Sequence, residues 1–409
     1  MIHRASERDD ISVRCRFLFG EAADEVFRDS LAADVRAARL SQAFRLYYLL
    51  RSLIPLPVRQ LLQRHRRVEA SPRWYFPDDF AASLIEHVGA MCEGIAAIHP
   101  WPDGADFAFV LTHDVETDDG MRNVLRIADL EEELGFRSSW NVVPHKYPVD
   151  RGLLAELTER GFEIGVHGYN HDGKLFTSRR IFEARVPAIN AALKSFRAVG
   201  FRAPMVHRNL EWLQALEVEY DASCFDADPF QAMPGGVGGV WPFIAGRFVE
   251  LPYTLPQDHT LFVALNQPDG QIWHRKLEYL AELRGMALIV THPDYLDSHH
   301  RLDTYRRFLL KARELTGMWH ALPKNVAAWW RERDASSLRR DANGDVRVVG
   351  RSADRARAVA VCVDRDAIAR AQDNSPMKSV GDSPTRSFIR WNELSQVGAG
   401  EKVHASISS

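Results

Sequence analysis

From about Asp106 to Trp330 the chain alternates two kinds of pattern. Short, mostly apolar runs predict strands buried on both faces: FAFVLT from Phe107, SSWNVV from Ser138, FEIGV from Phe162, FVELPY from Phe248 and ALIVT from Ala287. Between them, MRNVLRIADLEEEL, RGLLAELTER and RIFEARVPAINAALKSFRAV repeat apolar residues at intervals of three and four and predict helices, the last in spite of Pro187. HRKLEYLAELRG predicts another helix, ending at Gly285, a residue suited to a helix C-terminus. Strand and helix in alternation predict an α/β domain, a parallel sheet covered by helices and either open or closed into a barrel.

Such folds carry their chemistry where the strands end, and polar residues gather at those ends. His113 and Asp114 follow the first strand, His145 the second, His167 and His171 the third, and His292 with Asp294 the last. Two imidazoles and a carboxylate hold a divalent ion by three ligands and leave a position for water and substrate, as metal-assisted hydrolysis requires. A second carboxylate would take the proton of the water, and a histidine on the opposite side would protonate the leaving group. Each piece has a plainer reading: HGYNH as a solvated loop, the acidic run Asp114, Glu116, Asp118 and Asp119 as the start of the next helix, THPD as a turn.

The order of these motifs resembles the polysaccharide deacetylase family, the NodB-like carbohydrate esterases. LTHDVE stands where that family has T-F-D-D, HGYNH at its H-S/T-x-x-H, FRAP at its R-x-P, EYDAS at its later Asp, and LIVTHPD at its L-x-x-H. The resemblance implies a distorted (β/α)7 barrel and a metal-dependent hydrolase acting on non-peptide carbon–nitrogen bonds. The expected reaction removes N-acetyl groups from an amino sugar in a polysaccharide or its precursor. It implies His167, His171 and a first-motif carboxylate as ligands of a divalent metal, usually Zn2+. It also implies Arg202 orienting the catalytic carboxylate, and Asp221 holding His292 as general acid.

This chain departs from the family in having Asp114, Val115 and Glu116 where two adjacent aspartates are expected. In one register Asp114 is the base and Val115 occupies the ligand position. In the other Asp114 is the ligand and His113 stands in place of the base. Glu116 is able to replace the missing carboxylate, because residues two apart in an extended segment point the same way. Two alternatives remain: hydrolysis of another C–N amide, as in relatives that act on small cyclic amides without a metal, or an inactive carbohydrate-binding protein.

Composition narrows the partners. A formal net charge of −3 gives no basic excess for nucleic acid, and four widely spaced cysteines form neither a disulfide framework nor a thiolate metal site. The charged N-terminus lacks a secretory core, and no run approaches the roughly 18 apolar residues of a spanning helix. The expectation is a cytoplasmic protein. Residues 1–100 read as a helical N-terminal extension, 101–335 as the barrel, 336–372 as a small C-terminal extension and 373–409 as a flexible tail. Within the first, AFRLYYLLRSLIPLPVRQLLQRHRR either packs on the barrel or makes peripheral contact with the inner face of a membrane. GDVRVVGRSADRARAVAVCVD has the pattern of a hairpin. FDADPFQAMPGGVGGVWPF is either an ordered loop over the site mouth or a connector packed by its own aromatics.

Overall fold

The computed structural model describes residues 13–20, 24–39, 78–90, 94–363 apart from 229, 232, 233, 268 and 343, and 389–394, with single residues at 42, 46 and 54. The strands are β1 (Cys15–Arg16), β2 (Ile95–Ile98), β3 (Phe107–Val115), β4 (Ser138–Val142), β5 (Glu163–His167), β6 (Gly200–Arg202), β7 (Tyr220–Asp221), β8 (Phe243–Ala245), β9 (Phe248–Glu250), β10 (Met286–Thr291), β11 (Met318–His320), β12 (Ser336–Arg340), β13 (Val346–Gly350), β14 (Ala358–Val363) and β15 (Ile389–Glu393). Among the described residues, seven of them run parallel in the order β10-β3-β4-β5-β6-β7-β9. At the far edge β8 and then β1 add in antiparallel.

The sheet curls until its two ends nearly meet. β9 stops at Glu250, short of the FVELPY run, because Pro252 has no N–H for the ladder. The chain then crosses to the open edge of β10, where the amides of Thr254 and Leu255 both donate to the Leu288 carbonyl. This is the distorted (β/α)7 arrangement that the motif order implied. β11 pairs with Phe107–Phe109 of β3 below the point where β4 pairs with Leu111–Val115, so the two share one edge.

Local signals start and stop the helices. Thr117, Asp150, Ser178 and Ser298 each place a side-chain oxygen on an amide of the first turn of a helix, those spanning Asp118–Glu133, Arg151–Glu159, Arg179–Phe196 and His299–Glu314. The helix Gln271–Glu282 ends otherwise than expected. Arg284, not Gly285, adopts the left-handed conformation (φ 58°), and the Gly285 amide bonds back to the Leu280 carbonyl. β6 and β7, of three and two residues, are too short to register as a period in the sequence.

The extensions also correct the sequence reading. A hairpin forms, but between β12 and β13; β14, the second half of the stretch expected to form it, pairs instead with β2 and β15. β15 lies in the run expected to be a flexible tail, with Ile389 buried. The rest of that run and nearly all of the Arg-rich stretch 43–67 lie outside the described residues. The helix Asp24–Ala37 packs Phe27 against Phe17, Phe80 and Trp241. Cys15 and Cys224 are free thiols. Among the described residues no helix is long and apolar enough to cross a membrane.

Candidate active site

The two-residue period of an extended strand divides THDVE between two surfaces. Thr112 and Asp114 meet Arg202, and Glu116, just past the strand end, meets His171. His113 points the other way, toward the helix Asp118–Glu133. There its Nε2 lies 2.8 Å from Glu131 Oε1, its Nδ1 lies 2.7 Å from Thr291 Oγ1, and its ring stacks on Trp140. His113 is therefore not placed to act as the base, because its ring is locked on the far face. Val115 is fully buried in the apolar core.

His167 ends β5 and His171 follows after one turn of chain. His167 Nδ1 donates to the Arg202 carbonyl at 3.1 Å, which leaves Nε2 as the free ring position. Gly168 (φ 66°) lets the chain turn against Pro204; a Cβ there would sit 2.3 Å from that ring. His171 itself takes a left-handed φ of 57°. One ligand atom from each of Glu116, His167 and His171 falls within 4.8 Å of the others. Glu116 Oε1 is 2.9 Å from His171 Nε2 and 3.7 Å from His167 Nε2, yet both ring nitrogens are buried without an aligned hydrogen-bond partner. Two buried imidazole nitrogens that face one carboxylate without an aligned hydrogen bond fit a three-ligand divalent metal site.

Asp114 stands beside this cluster. Its Oδ1 accepts from Arg202 Nη1 and Asn141 Nδ2, each at 2.9 Å, and its Oδ2 lies 3.8 Å from His167 Nε2. Burial would raise its pKa, but Arg202, with His167, His292 and Asn141, outweighs burial and holds it at about 2. Glu116 is held well below the usual carboxylate range: burial opposes this, and His171, His167 and His292 prevail. Asn141 was not foreseen. Its one sequence signal is an amide inside a buried strand, and it fits only because its neighbour in register is Gly165, where a Cβ would fall 2.1 Å from Asn141 Oδ1.

His292 faces the cluster from the end of β10, with Nε2 3.6 Å from Glu116 Oε1. Its partner is not Asp221 but Asp258, whose Oδ1 lies 2.7 Å from Nδ1 and whose Oδ2 accepts from the His292 amide at 2.6 Å. Burial lowers the His292 pKa, but Asp258 and then Glu116 and Asp114 raise it to about 10. Asp221 lies on β7 and is occupied by the Ser223 hydroxyl at 2.7 Å. It stands in register with Glu250, which burial and the second carboxylate push well above the usual range. The segment that closes the barrel after β9 is what carries a different aspartate, Asp258, to β10. No strand-end rule marked it in the sequence.

Other expected residues lie apart. His145 is exposed against Tyr169. Asp294 accepts from the Thr117 hydroxyl and belongs to the helix start. The segment 225–243 buries Phe225, Val237, Val240 and Trp241 and is tied to the N-terminal helix by Ser30 and Asp34, as a packed connector would be.

No family model matches the chain, and no curated protein matches it. Among similar solved structures is a Mycobacterium smegmatis protein assigned as a polysaccharide deacetylase, at 20% identity over 57% of this chain and 93% of that one, with a TM-score of 0.49. PuuE allantoinase matches at 15% identity over 57% and 93%, TM-score 0.45. The peptidoglycan deacetylase PdaC from Bacillus subtilis matches at 12% identity over 56% and 94%, TM-score 0.37. Polysaccharide deacetylases, family 4 carbohydrate esterases and an allantoinase are thus among the structures this chain is similar to, over a little more than half its length.

Proposed function

We propose that this protein is a metal-dependent hydrolase that removes N-acetyl groups from an amino sugar in a polysaccharide or its precursor. The observation that carries the reading is the Glu116–His167–His171 cluster, with its two unbonded ring nitrogens, set between Asp114 on one side and His292 on the other. A divalent ion held by these three, Zn2+ by the nature of the donors, would polarise the acyl carbonyl and make its bound water acidic.

The remaining work falls to the side chains. Asp114 Oδ2, free of the Arg202 and Asn141 bonds that fix Oδ1, accepts the proton of the attacking water. Arg202 aims that carboxylate and keeps it ionised. His292, anchored through Nδ1 to Asp258, holds its proton at Nε2 and gives it to the amide nitrogen as the C–N bond breaks. The new C–O bond leaves a carboxylate, and the nitrogen leaves as an amine. Asp221 has no part in this scheme other than supporting β7.

The test is metal analysis of purified protein alongside acetate release from a panel of N-acetylated sugars. Bound divalent metal with chelator-sensitive acetate release is the expected result. Turnover that survives chelation would replace this reading with a metal-free amide hydrolase, and bound sugar without turnover would replace it with a binding protein.

A further inference from the structure

Directly after Arg202 the chain does something costly. Met205 and Val206 have consecutive positive φ values of 58° and 50°, a conformation that L-residues avoid and that is worst for a β-branched side chain. Such a turn persists only where its surroundings hold it. On one side it holds, and is held by, the candidate metal site: the Arg202 carbonyl takes His167 Nδ1, and Pro204 fills the space left by Gly168 between the two histidines. The Ala203 amide is fixed by Ser223 Oγ at 2.8 Å.

On the other side the support comes from outside the barrel. Arg208 Nη1 donates to the Val206 carbonyl at 2.9 Å, and its Nε and Nη2 bind both oxygens of Asp34, on the helix Asp24–Ala37. Asp34 Oδ1 also accepts from the Gly236 amide at 2.7 Å, and the guanidinium lies 4.8 Å from the Phe225 ring centroid. Asp34 and Arg208 are only 2% and 6% exposed. Desolvation makes a buried ion pair a weak source of stability, whereas a forked donor between a carboxylate and one strained carbonyl is a means of fixing geometry.

We infer that Asp34, acting through Arg208, is a positioning residue of the metal site, so that the N-terminal helix sets the geometry of His167 and His171. This rests on the reading of Glu116, His167 and His171 as metal ligands. The effect runs from Asp34 to Arg208, to the Val206 carbonyl, and through the strained turn to Arg202 and Pro204.

Full-length Asp34→Asn is compared with wild type and with Arg16→Gln, which breaks another N-terminal anchor, Arg16 to Asp334, away from the turn. The readout is Co2+ affinity from its visible absorption under chelator competition, at a temperature where near-ultraviolet circular dichroism shows all three folded. Asp34→Asn weakens binding by up to roughly tenfold, the low end of the loss seen when a ligand's direct outer-shell partner is removed, while Arg16→Gln stays at the wild-type value. Unchanged affinity in Asp34→Asn, or an equal loss in Arg16→Gln, overturns the inference and leaves the metal reading intact. A wild type that takes up no ion overturns both. If Asp34→Asn does not fold, Arg208→Lys keeps the charge pair but loses the fork to Val206, and unchanged affinity there overturns the inference equally.

Discussion

His113 and His167 are both buried histidines at the ends of parallel strands, each within reach of a glutamate, and they differ in the fate of their second ring nitrogen. Both nitrogens of His113 are bonded, to Thr291 and Glu131, and Glu131 in turn accepts from Ser138 at 2.6 Å and Tyr305 at 2.5 Å. That network is closed, and nothing further can bind to it. His167 has one nitrogen fixed by a backbone carbonyl, and its Nε2, like that of His171, is buried without an aligned hydrogen bond although both face Glu116. Burying a polar atom without a well-made hydrogen bond costs about 1–3 kcal/mol, and under the proposed reading a bound ion would satisfy both nitrogens and the carboxylate they face. Residue type does not separate these two histidines; hydrogen-bond satisfaction does.

Substitutions on the two sides should fail in different ways. The largest effect is expected at Asp114. Asp114→Asn keeps shape but removes basicity, and turnover should fall about a hundredfold to ten-thousandfold with metal still bound. Glu116→Gln should instead lose metal, read by equilibrium dialysis. If Asp114→Asn releases the ion and Glu116→Gln does not, the two roles are exchanged. On the opposite face, His292→Ala should damage amide substrates more than activated esters, whose leaving groups need no proton. Equal damage to both would make His292 a positioning residue.

In the closed network the loss should appear as stability. Glu131→Ala leaves His113, Ser138 and Tyr305 without their acceptor and should cost about 3–5 kcal/mol in denaturant unfolding, with metal affinity of the folded protein unchanged. A fall in affinity matching that at His167 would erase the distinction between the two histidines.

A smaller effect separates Glu131 from another buried carboxylate. Burial raises Glu131 as well, but His113 and the hydroxyls bring it below the usual range. Glu163 has only the Tyr220 hydroxyl at 2.9 Å and the Lys324 amide at 3.1 Å, and burial dominates, raising it to about 7. Between its ordinary value and about 7 the folded state holds a proton that the unfolded state has released. Its contribution is therefore fully present below about pH 4.5 and is lost as pH rises to 7, roughly 3 kcal/mol at most. Glu163→Gln should flatten that part of the stability profile relative to wild type; an unchanged slope would assign it to other groups.

Much of this could be read from the sequence wherever a physical period was long enough. Strands β3, β4, β5 and β10 were visible as apolar runs, and the four long helices between them as three–four repeats. The placing of Asp114 and Glu116 on one face followed from extended geometry alone. What could not be read depended on chain closure. Asp258 reaches His292 because Pro252 ends β9 and sends the following segment across to β10, and no local pattern distinguishes it from Asp221. Asn141 likewise owes its role to a glycine on the next strand. The exchange of β14 from a hairpin to a sheet with β2 joins residues more than 250 positions apart.

The central claim is that the open ring nitrogens of His167 and His171, with Glu116, hold an ion. Titration of Zn2+ into chelator-stripped full-length protein tests it most directly, followed by calorimetry for wild type, His167→Ala, His171→Ala and, as the control from the closed network, Glu131→Ala under conditions where it is folded. The prediction is one ion per chain in wild type and in Glu131→Ala, and no comparable site in either histidine variant. A wild type that binds none, or histidine variants that bind as wild type does, would contradict the account.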